Sequence, residues 1–273
     1  MGTRIIVSVV LAPLFFVVLF FLPPVYLAVL LSGICALASY ELLRATKVAS
    51  QKVLYVYTAI SAALIPLGCW NWGYGGWFVR AVAFLLIVTL FVESIKNYGK
   101  QDEIKFTQIS ICLFGGLLIP LSLSALVVLK GMEHGQYLVL LPVVSAFLTD
   151  AGAYFAGVFF GKHRGITQVS PNKSLEGYIG GILSGGIFML LYGLVLIQFA
   201  KLRVSLPTMA VYGLLGSAIT ELGDLSYSLV KRQHGVKDYG HLLPGHGGML
   251  DRFDSMSFAA PLLLILVEVL PAF

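Results

Sequence analysis

Residues 177–199 read GYIGGILSGGIFMLLYGLVLIQF, without a single charge. A helix needs about 20 apolar residues to cross a bilayer, and this run supplies them. A helix that is apolar all round is either deeply buried or in lipid. Eight further runs lie at about 5–21, 25–44, 53–70, 77–94, 107–129, 136–160, 207–230 and 256–272. They are continuous rather than alternating, which argues against a transmembrane barrel. Of the 273 residues, 58% are hydrophobic and 11% charged, against about 25% charged in an ordinary soluble domain. The mean hydropathy is +0.91. Such a chain cannot cover a soluble surface with polar groups, and it is too apolar for disorder. The reading is an all-α, polytopic integral membrane protein of about nine transmembrane helices. No A-x-A cleavage site follows the first run, so that run is read as a true helix rather than a signal peptide.

Charge orients the array. With the N-terminus cytoplasmic, fourteen of the eighteen Lys and Arg residues fall on the inner side, and four (Arg80, Lys130, Lys201 and Arg203) on the outer. Cytoplasmic loops carry such an excess, so the expectation is a cytoplasmic N-terminus and an outer C-terminus. The net charge of +5 then needs no nucleic-acid partner. Cys35, Cys69 and Cys112 sit in apolar runs without CxxC spacing, and read as small buried hydrophobes. Residues 1–135 are expected to form a lipid-facing scaffold, and 136–273 the catalytic region. The two long polar loops, 161–176 and 231–255, both fall on the cytoplasmic side. Function concentrates in such loops.

Acids within membrane spans are expensive and face a cavity or a partner. Asp150 lies in the sixth run, and Glu221 and Asp224 in the eighth. Glu268, near the outer end of the ninth, can reach the interface. Glu221, Asp224, Ser228 and Lys231 follow i, i+3, i+7, i+10 spacing, which puts all four on one helical face. That face runs from carboxylates to the basic pair Lys231-Arg232. It suits a divalent cation at one end and an anion at the other, or a polar seam between helices.

Segment 237–255 is the richest in the chain: Lys237-Asp238, then Pro244-Gly245-His246-Gly247-Gly248, then Asp251-Arg252-Phe253-Asp254-Ser255. Gly245, Gly247 and Gly248 permit positive φ and a close backbone approach. Consecutive N–H groups of that kind form an anion-binding nest. Asp251 and Asp254, at i, i+3, can share a helical face. Magnesium commonly takes one or two carboxylates plus substrate phosphates. Nest, carboxylates and basic side chains together suit chemistry at a nucleotide phosphate. In the other loop, Ser170-Pro171 reads as an N-cap and N1 pair. A helix starting there would offer N–H groups to a phosphate beside Lys173, or would be an ordinary capped helix.

From Ser228 to Asp254 the sequence reads SLVKRQHGVKDYGHLLPGHGGMLDRFD. This resembles the signature of the phosphatidate cytidylyltransferases, or CDP-diacylglycerol synthases. The stretches DAGAY at 150–154 and SPNKSLEG at 170–177 also resemble that family. The motif resemblance covers roughly 150–260, and the first five runs agree only in being hydrophobic. Tyr227 departs from the pattern, since bacterial members often carry an acid there.

The resemblance implies a magnesium-dependent enzyme of phospholipid biosynthesis in the cytoplasmic (inner) membrane. It would make CDP-diacylglycerol and pyrophosphate from CTP and phosphatidic acid, with manganese as a substitute metal and room for a second cation. On that basis Asp224 and Asp251 are the first choices as metal ligands, then Asp254, with Glu221 or Asp150 in reserve. Lys237, Arg252 and Lys173 would hold phosphates. His246, Gly245, Gly247 and Gly248 would contact the triphosphate. Ser170, Ser228, Lys231 and Arg232 complete the substrate-binding set. A homodimer is the default for a symmetric membrane enzyme.

Three rival readings follow from the same residues. A CTP-dependent enzyme on another lipid, such as a CDP-archaeol synthase or a polyprenol kinase, shares the architecture. An ion-coupled transporter would explain Asp150, Glu221 and Asp224 but not the loop motif, and no inverted repeat is visible. The CDP-alcohol phosphotransferases also use clustered aspartates, but their D-G-x-x-A-R pattern is absent here.

Overall fold

The structure is a computed structural model that describes residues 13–48, 52–242 and 247–273. Residues 13–20 are helical (α1); the rest of the first expected span, 5–12, lies outside the described residues. Then follow α2 (Pro24–Ala45), α3 (Lys52–Trp72), α4 (Trp77–Lys96) and α5 (Phe106–Leu113). A π-turn at Phe114–Leu118 joins α5 to α6 (Ile119–Gly131). The remainder is α7 (Gly135–Leu138), α8 (Leu140–Phe160), α9 (Leu175–Phe199), α10 (Leu206–Gln233), α11 (Leu250–Phe253) and α12 (Met256–Val269). Among the described residues there is no strand, only an isolated antiparallel bridge between Arg164 and Ser174.

Six helices among the described residues are long and apolar enough to cross a membrane: 24–45, 52–72, 77–96, 106–131, 135–160 and 175–199. The other two fully described candidates differ. Helix α10 has 28 residues but carries Glu221, Asp224, Lys231 and Arg232 in its C-terminal half. Helix α12 has 14, so at 1.5 Å per residue it spans only about 21 Å. Large apolar side chains stand exposed on α4 and α9, among them Phe84, Leu85 and Ile95, then Leu183, Ile187 and Leu191. On each helix separately, exposed apolar side chains of this kind suit lipid.

The chain divides into two compact units. One comprises residues 1–136 and 233–253, the other 137–232 and 254–273. The polar loop expected at 231–255 is therefore shared out: α10 continues to Gln233, and 233–253 pack with the N-terminal helices.

In the first unit, α3 packs against α2, α4 and α6. The π-turn widens the helix where Gly115 and Gly116 approach Leu42, Leu43, Thr58 and Leu86. A π-turn disturbs the regular backbone ladder. Here Ser39 donates its hydroxyl hydrogen to Gly115 O, and Ser61 does the same to Gly116 O at 2.9 Å.

In the second unit, small residues set the spacing. A Cβ on Gly185 would strike Ser217 and Thr149, and one on Gly213 would strike Met189 and the Gly185 backbone. Close backbone approach through Gly, Ser and Thr is how helices associate where lipid removes the hydrophobic drive. Thr149 Oγ1 donates to Ser217 Oγ at 2.7 Å, and Ser184 Oγ donates to Leu148 O at 2.9 Å. Replacing Gly185 by Val is expected to destabilise the protein by about 1–3 kcal/mol through overpacking. Ile187→Ala, on the exposed side of α9, should leave stability nearly unchanged. Thermal melting of both variants in detergent checks the contrast.

Candidate active site

The chemistry-bearing residues of the second unit gather on α10 and on the loop before α9. Ser174, not Ser170, caps α9: its hydroxyl oxygen accepts the Gly177 N–H at 3.1 Å. Ser170-Pro171 instead opens a tight turn, in which Lys173 N donates to Ser170 O at 3.2 Å. Proline suits the second position of such a turn, so the expected cap at 170 moves four residues on. Leu175 N donates to His163 O at 3.0 Å, and Gly165 N to Pro171 O at 3.1 Å. Glu176 accepts the backbone N–H groups of Lys162 and His163 and pairs with His163 Nδ1 at 2.6 Å. The loop is thus tied to the first turn of its own helix.

These ties deliver Lys173 to α10. Its Nζ lies 2.6 Å from Glu221 Oε2 and 2.7 Å from Asp224 Oδ2. Burial works against the ammonium charge, but the two carboxylates outweigh it and hold the Lys173 pKa above the ordinary lysine value. Only 5% of the Glu221 side chain is exposed. Gly181 opposes Glu221 Oε1 and leaves room for it. That oxygen is buried and has no hydrogen-bond donor among the described residues.

Further along α10, Ser228 and Lys231 are buried as well, so the face expected from the i, i+3, i+7, i+10 spacing is turned inward. Lys231 Nζ stands 3.9 Å from Asp254 Oδ2. Asp254 lies in the turn before α12 and accepts the Ser255 N–H at 2.8 Å. Burial, with repulsion from Asp224 and Asp150, pushes its carboxyl up to about 7 against the pull of Lys231. Asp150 on α8 is exposed but electrostatically coupled to this group. Arg232 Nε donates to Val169 O at 3.4 Å. Tyr227, at the departing position, is buried, accepts a hydrogen bond from Ser257 Oγ at 3.1 Å and meets Phe258 edge-on.

In the first unit, Asp251 organises the glycine loop. Its Oδ2 accepts the N–H groups of Tyr239 at 2.8 Å and Gly248 at 2.9 Å. The Gly248 N–H, expected in an anion nest, is therefore committed to Asp251. Gly247 takes φ +83°, a left-handed conformation suited to glycine. Lys237 and Arg252 are exposed. Gly245 and His246 lie outside the described residues. The helical turn α11 ends at Phe253, so Asp251 is on it and Asp254 is not.

One buried acid lies outside the sequence motifs. Glu41, on α2, is 5% exposed and accepts the Leu250 N–H on Oε2 at 2.9 Å. The signal was present: an acid inside the apolar run 25–44 satisfies the same rule that singled out Asp150 and Glu221.

Among the described residues, no group of three or more His, Cys, Asp or Glu side chains is arranged to hold a metal ion. The donors present still fit magnesium, which asks the protein for one or two carboxylates and takes the rest from phosphate and water. Glu221 Oε1, beside Asp224 and without a hydrogen-bond partner among the described residues, is an oxygen of that kind.

Residues 2–270 match the Cytidylyltransferase family. A protein of Thermotoga maritima named phosphatidate cytidylyltransferase is 34% identical over 271 residues, covering 98% of this chain and 96% of its own. Its namesake in Staphylococcus saprophyticus is 32% identical over 253 residues, covering 89% and 94%. A third, from Staphylococcus epidermidis, is 35% identical over 182 residues, covering 67% and 68%.

Asp251→Ala should leave the Tyr239 and Gly248 N–H groups without their acceptor. Losing a buried partner costs about 1–3 kcal/mol per group. Amide hydrogen exchange at these two positions is expected to accelerate at least tenfold, while amides of α3 stay protected.

Proposed function

The chain belongs to the cytidylyltransferase family, and from that membership we propose that it makes CDP-diacylglycerol and pyrophosphate from CTP and phosphatidic acid. The near full-length match to phosphatidate cytidylyltransferases carries this reading. A substrate with two acyl chains is reached from the bilayer, which accounts for the six apolar spans. We add α1, α10 and α12 to reach nine, with the N-terminus and both polar loops on the cytoplasmic side of the inner membrane, where CTP is available. The positive-inside bias supports that orientation.

A phosphate oxygen of phosphatidic acid attacks the α-phosphorus of CTP. The bond from that phosphorus to the β-phosphate bridging oxygen breaks, and pyrophosphate leaves with its electron pair. The attacking phosphate is already an anion at neutral pH, so no general base is needed. Two polyanions must instead be brought together in line, and positioning with charge neutralisation supplies most of the rate. Lys173, held rigid by Glu221 and Asp224, is suited to orienting a phosphate oxygen. Lys231 and Arg232, on the basic end of α10, suit the same task. Lys237 and Arg252, with the Gly247-Gly248 backbone and His246, are assigned to the triphosphate. Asp224 and Asp251 remain the proposed metal ligands, with Asp254, Glu221 and Asp150 behind them. When bound, magnesium would neutralise phosphate charge and polarise the reacting phosphoryl group.

Labelled CTP tests the proposal on purified protein. With phosphatidic acid and magnesium, an α-phosphate label should enter the lipid and a γ-phosphate label should leave as pyrophosphate. Chelation of the metal should stop both. Release of CDP with the γ-label in the lipid would make the protein a kinase and overturn the reading.

A further inference from the structure

We propose that Glu41 is a positioning residue for CTP, acting through the backbone of the loop that carries Lys237 and Arg252. This rests on the cytidylyltransferase reading and adds to it a residue from α2, far in sequence from every motif. Three observations carry it. First, Glu41 is an acid with 5% exposure in a helix whose other charged residue is Arg44 in the last turn, and an unused buried carboxylate would be costly there. Second, its Oε2 accepts the Leu250 N–H at 2.9 Å, across 209 residues of chain. Third, the loop is shaped around this carboxylate. A Cβ on Gly240 would collide with Oε1, and a Cβ on Gly248 with Oε2.

The carboxylate therefore stands against the loop on both sides of Asp251's own hydrogen bonds. Asp251 holds Tyr239 N and Gly248 N; Glu41 holds Leu250 N and fills the space beside Gly240 and Gly248. Together the two acids fix the backbone at 239–240 and 248–250. Lys237 lies two residues before one fixed point, and Arg252 two residues after the other. Both cations are exposed and long, so their aim depends on how firmly the backbone beneath them is held. Without Glu41 the cations remain, but their placement for a triphosphate is lost.

The test compares Glu41→Ala, Glu41→Gln and Gly240→Ala with the unmodified protein in mixed micelles of detergent and phosphatidic acid with magnesium. Absence of activity in the unmodified protein would sink the cytidylyltransferase reading itself. Given that activity, Glu41→Ala should raise the KM for CTP about tenfold or more, in line with losing a hydrogen bond to a charged group. The KM for phosphatidic acid should stay within about twofold. Glu41→Gln keeps an oxygen acceptor for Leu250 N–H and should restore the KM for CTP to within about threefold. Gly240→Ala retains Glu41 but drives a methyl group into its carboxylate, and should also raise the KM for CTP. In the double variant Glu41→Ala/Gly240→Ala the increase should be no larger than for Glu41→Ala alone, because the struck atoms are gone. Unchanged KM for CTP in both Glu41→Ala and Gly240→Ala would overturn the proposal. So would equal rises for both substrates. If Glu41→Ala does not fold, Gly240→Ala and Glu41→Gln decide the matter by the same criteria.

Discussion

Two carboxylates share one lysine inside a helical membrane protein, and the second unit is organised around that contact. Lys173 reaches Glu221 at 2.6 Å and Asp224 at 2.7 Å. Taking an ion out of water costs several kcal/mol even after relaxation, and leaving one partner unpaired is worse. The surrounding chain is consistent with that constraint. Ser174 caps α9 immediately after Lys173. Glu176 fastens the preceding loop through the Lys162 and His163 backbone. Gly181 leaves room for the Glu221 carboxylate. Without those features the lysine would have no fixed origin from which to reach α10.

A second acid-centred arrangement serves the first unit. Asp251 accepts two backbone N–H groups and Glu41 a third. Glycine suits 240 and 248 because the Glu41 carboxylate occupies the space a Cβ would take. It is favoured at 247 by φ +83°. The two units thus use buried acids differently. In one, acids hold a cation ready; in the other, they hold backbone. Both uses satisfy the rule that a buried charge must be paired or hydrogen-bonded.

Much of this was legible in the sequence, and particular residues explain what was not. Continuous apolar runs identify helices because a 3.6-residue repeat with every face apolar has few soluble uses. The spacing from Glu221 to Lys231 predicts one face, and Glu221, Ser228 and Lys231 are buried on it. The cap was misplaced because Ser170-Pro171 satisfies the local rule for a helix start as well as Ser174 does. The difference is made by Pro171 O and His163 O, which take N–H groups from elsewhere in the loop. Asp251 and Asp254 were read as one helical pair, but α11 stops between them. Glu41 is legible as an acid inside an apolar run, but its partner lies 209 residues away, and no local pattern announces a contact of that range.

The most direct test of the account is to uncouple charge balance from function at Lys173. Lys173→Met should leave Glu221 and Asp224 facing each other, lowering stability by about 2–3 kcal/mol and abolishing CDP-diacylglycerol formation. Adding Glu221→Gln to Lys173→Met should recover part of the stability but none of the activity, because the cation proposed to orient a phosphate is still missing. Thermal melting and product formation measured on the same preparations give both quantities. If Lys173→Met alone retained activity within a few-fold of the unmodified protein, the clamped lysine would not be the centre of the site.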